Sequence, residues 1–240
     1  MKKLLVIVLL VFSGAAMATP IYSENFDGYA ADVNPAGWVD AYASMQTRLF
    51  GTNMVYGQTG TVGYVGLSYV DGVVTGNNYT IDAVLYKNAG AVVGVVGGLD
   101  DSTGISTADY YKFSWSTGAV KPKFEKVING VATTLGWGAA GIDWNWGYRL
   151  WRLDVEGNTI TASIYNKINT AGTWEQSNLV LLSQTILTDS DPLAGKAGVC
   201  TAFMTSSATH AAVDEFTIIP EPATICLLTI GSLLVIRRKK

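Results

Sequence analysis

The chain is short of the side chains that do metal and redox chemistry. It has one histidine, His210, and two cysteines, Cys200 and Cys226, among 240 residues. A lone imidazole makes no metal cluster by itself. A Ser-His-Asp set could be drawn from Ser206 or Ser207, His210 and Asp214, but no nucleophile-elbow sequence surrounds either serine. Amphipathic helices of useful length are missing as well. The glycine-rich stretch AGAVVGVVGG, residues 89–98, lacks both the lysine and the following helix that a phosphate loop needs, and reads as a buried strand with close backbone approach. Phosphate-loop chemistry is therefore excluded, and nothing points to a triad or a histidine metal centre.

The two ends of the chain carry targeting signals. Lys2 and Lys3 precede the apolar run 4–12, and small residues then lead to Ala16-Met17-Ala18. That order of charge, apolar run and A-x-A site predicts a signal peptide over 1–18, recognised by the Sec translocation machinery. No cysteine follows the run, so no lipid attachment site is created at the new N-terminus. At the other end Pro220-Glu221-Pro222 precedes an apolar run, 223–236, and the four cations Arg237, Arg238, Lys239 and Lys240. As a helix the run spans about 21 Å, short against a bilayer core of about 30 Å. The terminal cations fit a cytoplasmic end, and their stems can snorkel to add length. The tail, 220–240, resembles the PEP-CTERM sorting signal. That resemblance implies a temporary transmembrane helix and an exosortase that recognises Pro220-Glu221-Pro222 and removes the tail, leaving the protein at the cell surface or in the extracellular matrix.

Between the signals lie residues 19–219, enough for one domain with a full core. They keep 10 of the chain's 16 Lys and Arg and 18 of its 19 Asp and Glu, a net charge of −8. A surface this acidic repels phosphate backbones and argues against a nucleic-acid partner. Loss of the tail leaves Cys200 alone, so no intramolecular disulfide is available in an oxidising compartment. Its setting, AGVCTAFM, reads as a core strand.

The patterning of this domain is all-β. Tyr79, Ile81, Ala83 and Leu85 alternate with Thr80, Asp82, Val84 and Tyr86, and Tyr111, Phe113 and Trp115 alternate in DYYKFSWS. Asn129-Gly130 sits between two β-rich runs as a hairpin turn, and Gly157-Asn158 repeats the arrangement. Many short strands with such punctuation predict a sandwich or barrel.

Three stretches together resemble the concanavalin A-like (laminin G-like) jelly-roll domains of secreted bacterial proteins: IYSENFDGY with Gly37-Trp38, YRLWRLDVEGNTITASIY, and GKAGVCTAFMTSSATHAAVDEFTI. The resemblance implies two antiparallel sheets with adjacent termini, hosting glycosidases or sugar-binding modules. It also implies a structural Ca²⁺ where first and last strands meet, with Glu24 and Asp214 as the candidate ligands. Jelly-roll glucanases carry their acids on alternate positions of one strand. The corresponding stretch here is Arg152-Leu153-Asp154-Val155-Glu156, where an arginine stands in the first acid's place. An arginine serves neither as glycosyl acceptor nor as proton donor, which predicts a non-catalytic domain with local ion pairing. The tryptophans are the better lead. Trp137, Trp144 and Trp146 sit among glycines and polar residues, as a polysaccharide-binding surface requires, although they could equally cover a core edge. Trp151 alternates with Leu153 and Val155 and belongs inside. Three functions stay open: an exosortase-sorted, non-catalytic matrix protein that binds polysaccharide, a divergent glycoside hydrolase or lyase, and a structural surface protein without a small ligand.

Overall fold

The computed structural model describes residues 19–50, 53–58, 65–87, 91–101, 105–116, 120–142, 147–166, 179–202 and 211–220. The signal segment 1–18, the run 223–236 and four sorting residues, Glu221, Pro222, Arg237 and Arg238, lie outside them, as do Trp144, Trp146 and His210.

Fifteen strands form two antiparallel sheets. Eight belong to the first sheet: β1 (Tyr22–Glu24), β3 (Met45–Phe50), β4 (Asn53–Gln58), β6 (Asn78–Lys87), β11 (Gly147–Glu156), β12 (Thr159–Asn166), β13 (Val180–Thr188) and β15 (Ala211–Pro220). Their order is β13-β12-β11-β6-β15-β4-β3, and β1 pairs with the end of β15. The second sheet runs β10 (Val131–Trp137), β9 (Lys121–Ile128), β8 (Asp109–Ser116), β7 (Val92–Asp100), β14 (Lys196–Ala202), β5 (Val65–Val70), β2 (Trp38–Tyr42). One 3₁₀ turn, Ile105–Thr107, is the only helical element among the described residues. This is the two-sheet jelly-roll sandwich expected from the patterning.

The turns form as their residues dictate. Asn129 and Gly130 take φ of 50° and 74°, the paired left-handed conformation that joins β9 to β10 with the strands' own twist. Gly157, at φ 54°, opens the β11–β12 hairpin. In β7, a Cβ on Gly94 would stand 2.4 Å from the Phe113 carbonyl oxygen, so only glycine lets β7 and β8 approach this closely.

Period-two alternation fills the core from both sheets. Tyr79, Ile81, Ala83 and Leu85 of β6 and Trp151, Leu153 and Val155 of β11 face Val93 and Val95 of β7 and Tyr111, Phe113 and Trp115 of β8. A second aromatic group, Phe26, Trp38, Tyr56 and Phe216, closes the core where β1 meets β15. The buried Tyr56 hydroxyl lies 2.8 Å from Ser68 Oγ and donates toward Asn34 and Asp40, so its polarity is satisfied. Pro220 is the last residue of β15, opposite Tyr79, so the folded domain runs one residue beyond the expected boundary at 219. Its missing N–H is tolerated there because the ladder ends.

Candidate functional site

Strand alternation decides what each sheet shows to solvent. On β8 and β9, Phe113 and Phe124 turn inward, which sends Lys112, Lys123 and Glu125 outward. Lys112 and Glu125 stand opposite each other, 2.8 Å apart, and Lys123 reaches the other oxygen of Glu125 at 2.5 Å. Burial alone would raise the Glu125 pKa, but hydrogen bonds from Lys112 and Lys123 hold it below the usual carboxylate value. Beneath these charges the outer face is apolar: Leu67, Tyr69, Val96 and Cys200 are buried together, with Tyr110 against them. Burial pushes the Cys200 thiol up to about 11, so it stays protonated and inert.

The depressed Glu125 pKa has a consequence for stability. Its contribution is complete above the unfolded carboxylate's pKa and is lost as pH falls toward the folded value. Glu125→Gln should therefore flatten the fall in melting temperature below about pH 5. Equal slopes for parent and variant between pH 6 and pH 3 would contradict the pairing.

Trp137 ends the edge strand β10 opposite Lys123 and keeps 42 % of its surface exposed. Lys121 Nζ lies 4.5 Å from its ring centroid and Lys123 Nζ 5.7 Å, both in cation–π range. The chain after it is pinned to neighbouring strands. Gly138 N–H donates to the Pro122 carbonyl at 2.9 Å, and Ala139 N–H donates to Ser183 Oγ at 2.8 Å. Immediately beyond, Ala139 to Ile142 line a cavity of about 400 Å³ with Arg149, Asn166 and Leu182. Trp144 and Trp146 follow this loop and are not among the described residues. Of the three expected aromatic residues, the structure thus places Trp137 on an outer sheet face. An exposed indole beside ammonium groups can stack on the C–H face of a pyranose while the lysines bond its hydroxyls or acid groups. The lysines were not anticipated, although the alternation in KPKFEKVI, residues 121–128, contained the signal.

The acid-bearing stretch lies on the other sheet. Arg152 of β11 stands opposite Asp82 of β6 and binds it through two bonds, Nε to Oδ1 at 2.7 Å and Nη2 to Oδ2 at 2.6 Å. Asp154 accepts the Thr80 hydroxyl. Its pKa is raised, first by burial and then by the charges of Asp82 and Glu156. Glu156 is exposed beside the hairpin turn. The row is engaged across strands, with an ion pair where a first acid would stand.

The expected calcium pair does not assemble. Glu24 stands opposite the inward-facing Phe216, and its carboxylate accepts the Asn25 and Phe26 N–H groups, each at 3.0 Å, and the Tyr29 hydroxyl at 3.0 Å. Asp214 is the extra residue of a bulge between Val213 and Glu215, and its charge raises the pKa of Tyr148, which packs on the outer-face cluster of Val55, Tyr86 and Ala212. The bulge and the register leave the two carboxylates to different surroundings. No three of His, Cys, Asp and Glu form a metal-holding group among the described residues. Ca²⁺ seeks six to eight oxygens, so adding it or chelating it should shift the melting temperature by less than about 1 °C. A rise of several degrees on adding Ca²⁺ would show a site built from other oxygens.

No family model matches the chain, and no curated protein matches it in sequence. Solved structures do resemble it. A protein of unknown function with a galectin-like fold from Bacillus subtilis matches with a TM-score of 0.60 at 8 % identity, covering 85 % of this chain and 96 % of its own. The beta-glucanase of Bacillus licheniformis matches at 0.54 and 14 % identity, with 83 % and 98 % covered. The exoplasmic/lumenal domain of VIP36 in its Ca²⁺/Man2-bound form matches at 0.51 and 11 % identity, with 82 % and 86 % covered. At such identities the likeness shows the fold, a jelly-roll shared by sugar-binding proteins and a glucanase.

Proposed function

We propose that this is an exported, non-catalytic protein whose jelly-roll domain binds polysaccharide through the outer face of the second sheet. One observation carries the reading: the exposed Trp137 ring with Lys121 and Lys123 within 6 Å of its centroid. An indole left to solvent on an edge strand gains nothing from the core, but offers a flat apolar surface to a sugar ring. The ammonium groups beside it favour saccharides bearing carboxylate or sulfate, in a domain whose overall charge would otherwise repel them. Likeness to a Man2-bound structure supports sugar binding, and likeness to a beta-glucanase keeps hydrolysis as the alternative. The bidentate Arg152–Asp82 pair favours binding over hydrolysis, because a retaining glycosidase needs two carboxyls about 5–5.5 Å apart around the scissile bond.

In this reading the Sec machinery exports the chain, the run 223–236 anchors it briefly in the inner membrane, and an exosortase acts at Pro220-Glu221-Pro222. A glycan array with residues 19–220 tests the binding step, paired with reducing-sugar release on every glycan retained. Retention without release is the expected result. Release of reducing ends would assign a glycosidase instead, and no retention on any glycan would leave a purely structural protein.

A further inference from the structure

The first sheet has a depression of its own, away from Trp137. Its cavity of about 300 Å³ is lined by Asp82, Val84, Leu150, Glu215 and Thr217, outward residues of β6, β11 and β15, with Pro20 and Ile219 at its side. Val84 and Leu150 are 1 % and 0 % exposed, so they form an apolar floor under a polar rim. The charge here is opposite to that around Trp137. Asp82, Asp154, Glu156, Asp214 and Glu215 lie on this side, against the single guanidinium of Arg152. Arg152 spends two of its five N–H donors on Asp82, and its remaining donors have no described side-chain partner.

We infer that this depression is a second saccharide subsite, selective for an amino sugar. The pyranose C–H face lies on Val84 and Leu150, its ammonium group meets the carboxylates of Asp82 and Glu215, and uronate units are repelled. Packed sheets lie about 10 Å apart and this subsite and the Trp137 face look outward from opposite sheets, so one sugar ring cannot reach both. Taken with the binding proposed at Trp137, on which this consequence rests, the domain joins two polysaccharide segments of opposite charge. It cross-links a matrix as well as adhering to it.

Residues 19–220 contain every described strand and the whole core, so that fragment carries the fold. Labelled with ¹⁵N, it should be titrated with a glucosamine hexamer and separately with a galacturonate hexamer. The glucosamine hexamer should shift amides of 82–84, 150–152 and 215–219, and the galacturonate hexamer those of 121–125 and 133–137. Thr217→Trp, which fills the depression, should weaken the glucosamine response about tenfold or more and spare the galacturonate response. Glu215→Gln, nearly isosteric, should weaken it several-fold if the larger variant fails to fold. Absence of shifts on the first sheet at millimolar glucosamine hexamer, or shifts there that both variants leave intact, would overturn the inference. Shifts on the first sheet without any on the second would uphold the subsite and remove the Trp137 reading.

Discussion

Trp151→Ala should destabilise the domain by about 3–5 kcal/mol, the range for emptying a buried indole. The side chain is fully buried, its ring centroid is 4.7 Å from that of Phe113, and it spans from the first sheet to the second. Its strand is hydrogen-bonded on both sides, to Ala83 of β6 and Ile164 of β12, so the backbone cannot fall into the gap. For a domain of this size the loss corresponds to a melting temperature lower by roughly 6–20 °C. Trp137→Ala, at an exposed edge position, should stay within about 0.5 kcal/mol of the parent. Urea denaturation of the three proteins checks both numbers. Comparable losses in the two variants would mean that Trp137 supports the core rather than a ligand.

Replacing Glu221, or deleting residues 237–240, should leave an unprocessed form in the membrane fraction of the producing cell. The expectation follows from the motif, the apolar run and the terminal cations, which hold the tail across the membrane while a transpeptidase cuts at the motif. Pro220 belongs both to β15 and to the motif, so no linker separates the fold from its sorting signal. Three residues of extended chain, at most about 11 Å, separate Pro220 from the first residue of the apolar run. The folded domain should therefore sit against the membrane until the tail is removed. Cell fractionation and gel mobility decide the matter: if both variants reach the exterior at the parent's size, the sorting assignment is wrong.

The fold was legible because alternation and turn chemistry agree along the chain. Tyr79 to Tyr86 announce a half-buried strand, Asn129-Gly130 demands a left-handed turn, and Trp151 falls in phase with Leu153 and Val155. The surface was harder to read, since it depends on which strands become neighbours. Arg152 looked like a lost acid with local pairing, but its partner Asp82 is seventy residues away and adjacent only through the β6–β11 register. Glu24 and Asp214 do lie on adjoining segments, as expected, yet one bulge places Asp214 beside Tyr148 instead. Trp137 was singled out from its glycine-rich surroundings. The lysines around it come from β9, and only the register opposite β10 brings them to the ring.

Binding at the Trp137 face is the claim on which the function stands. Calorimetric titration of parent and Trp137→Ala, residues 19–220, with a polysaccharide that the array retains tests it most directly. Truncating a stacked aromatic costs about 1–3 kcal/mol, so the variant should bind about five- to 150-fold more weakly, with its melting temperature nearly unchanged. Undiminished affinity in a folded Trp137→Ala variant would contradict the account.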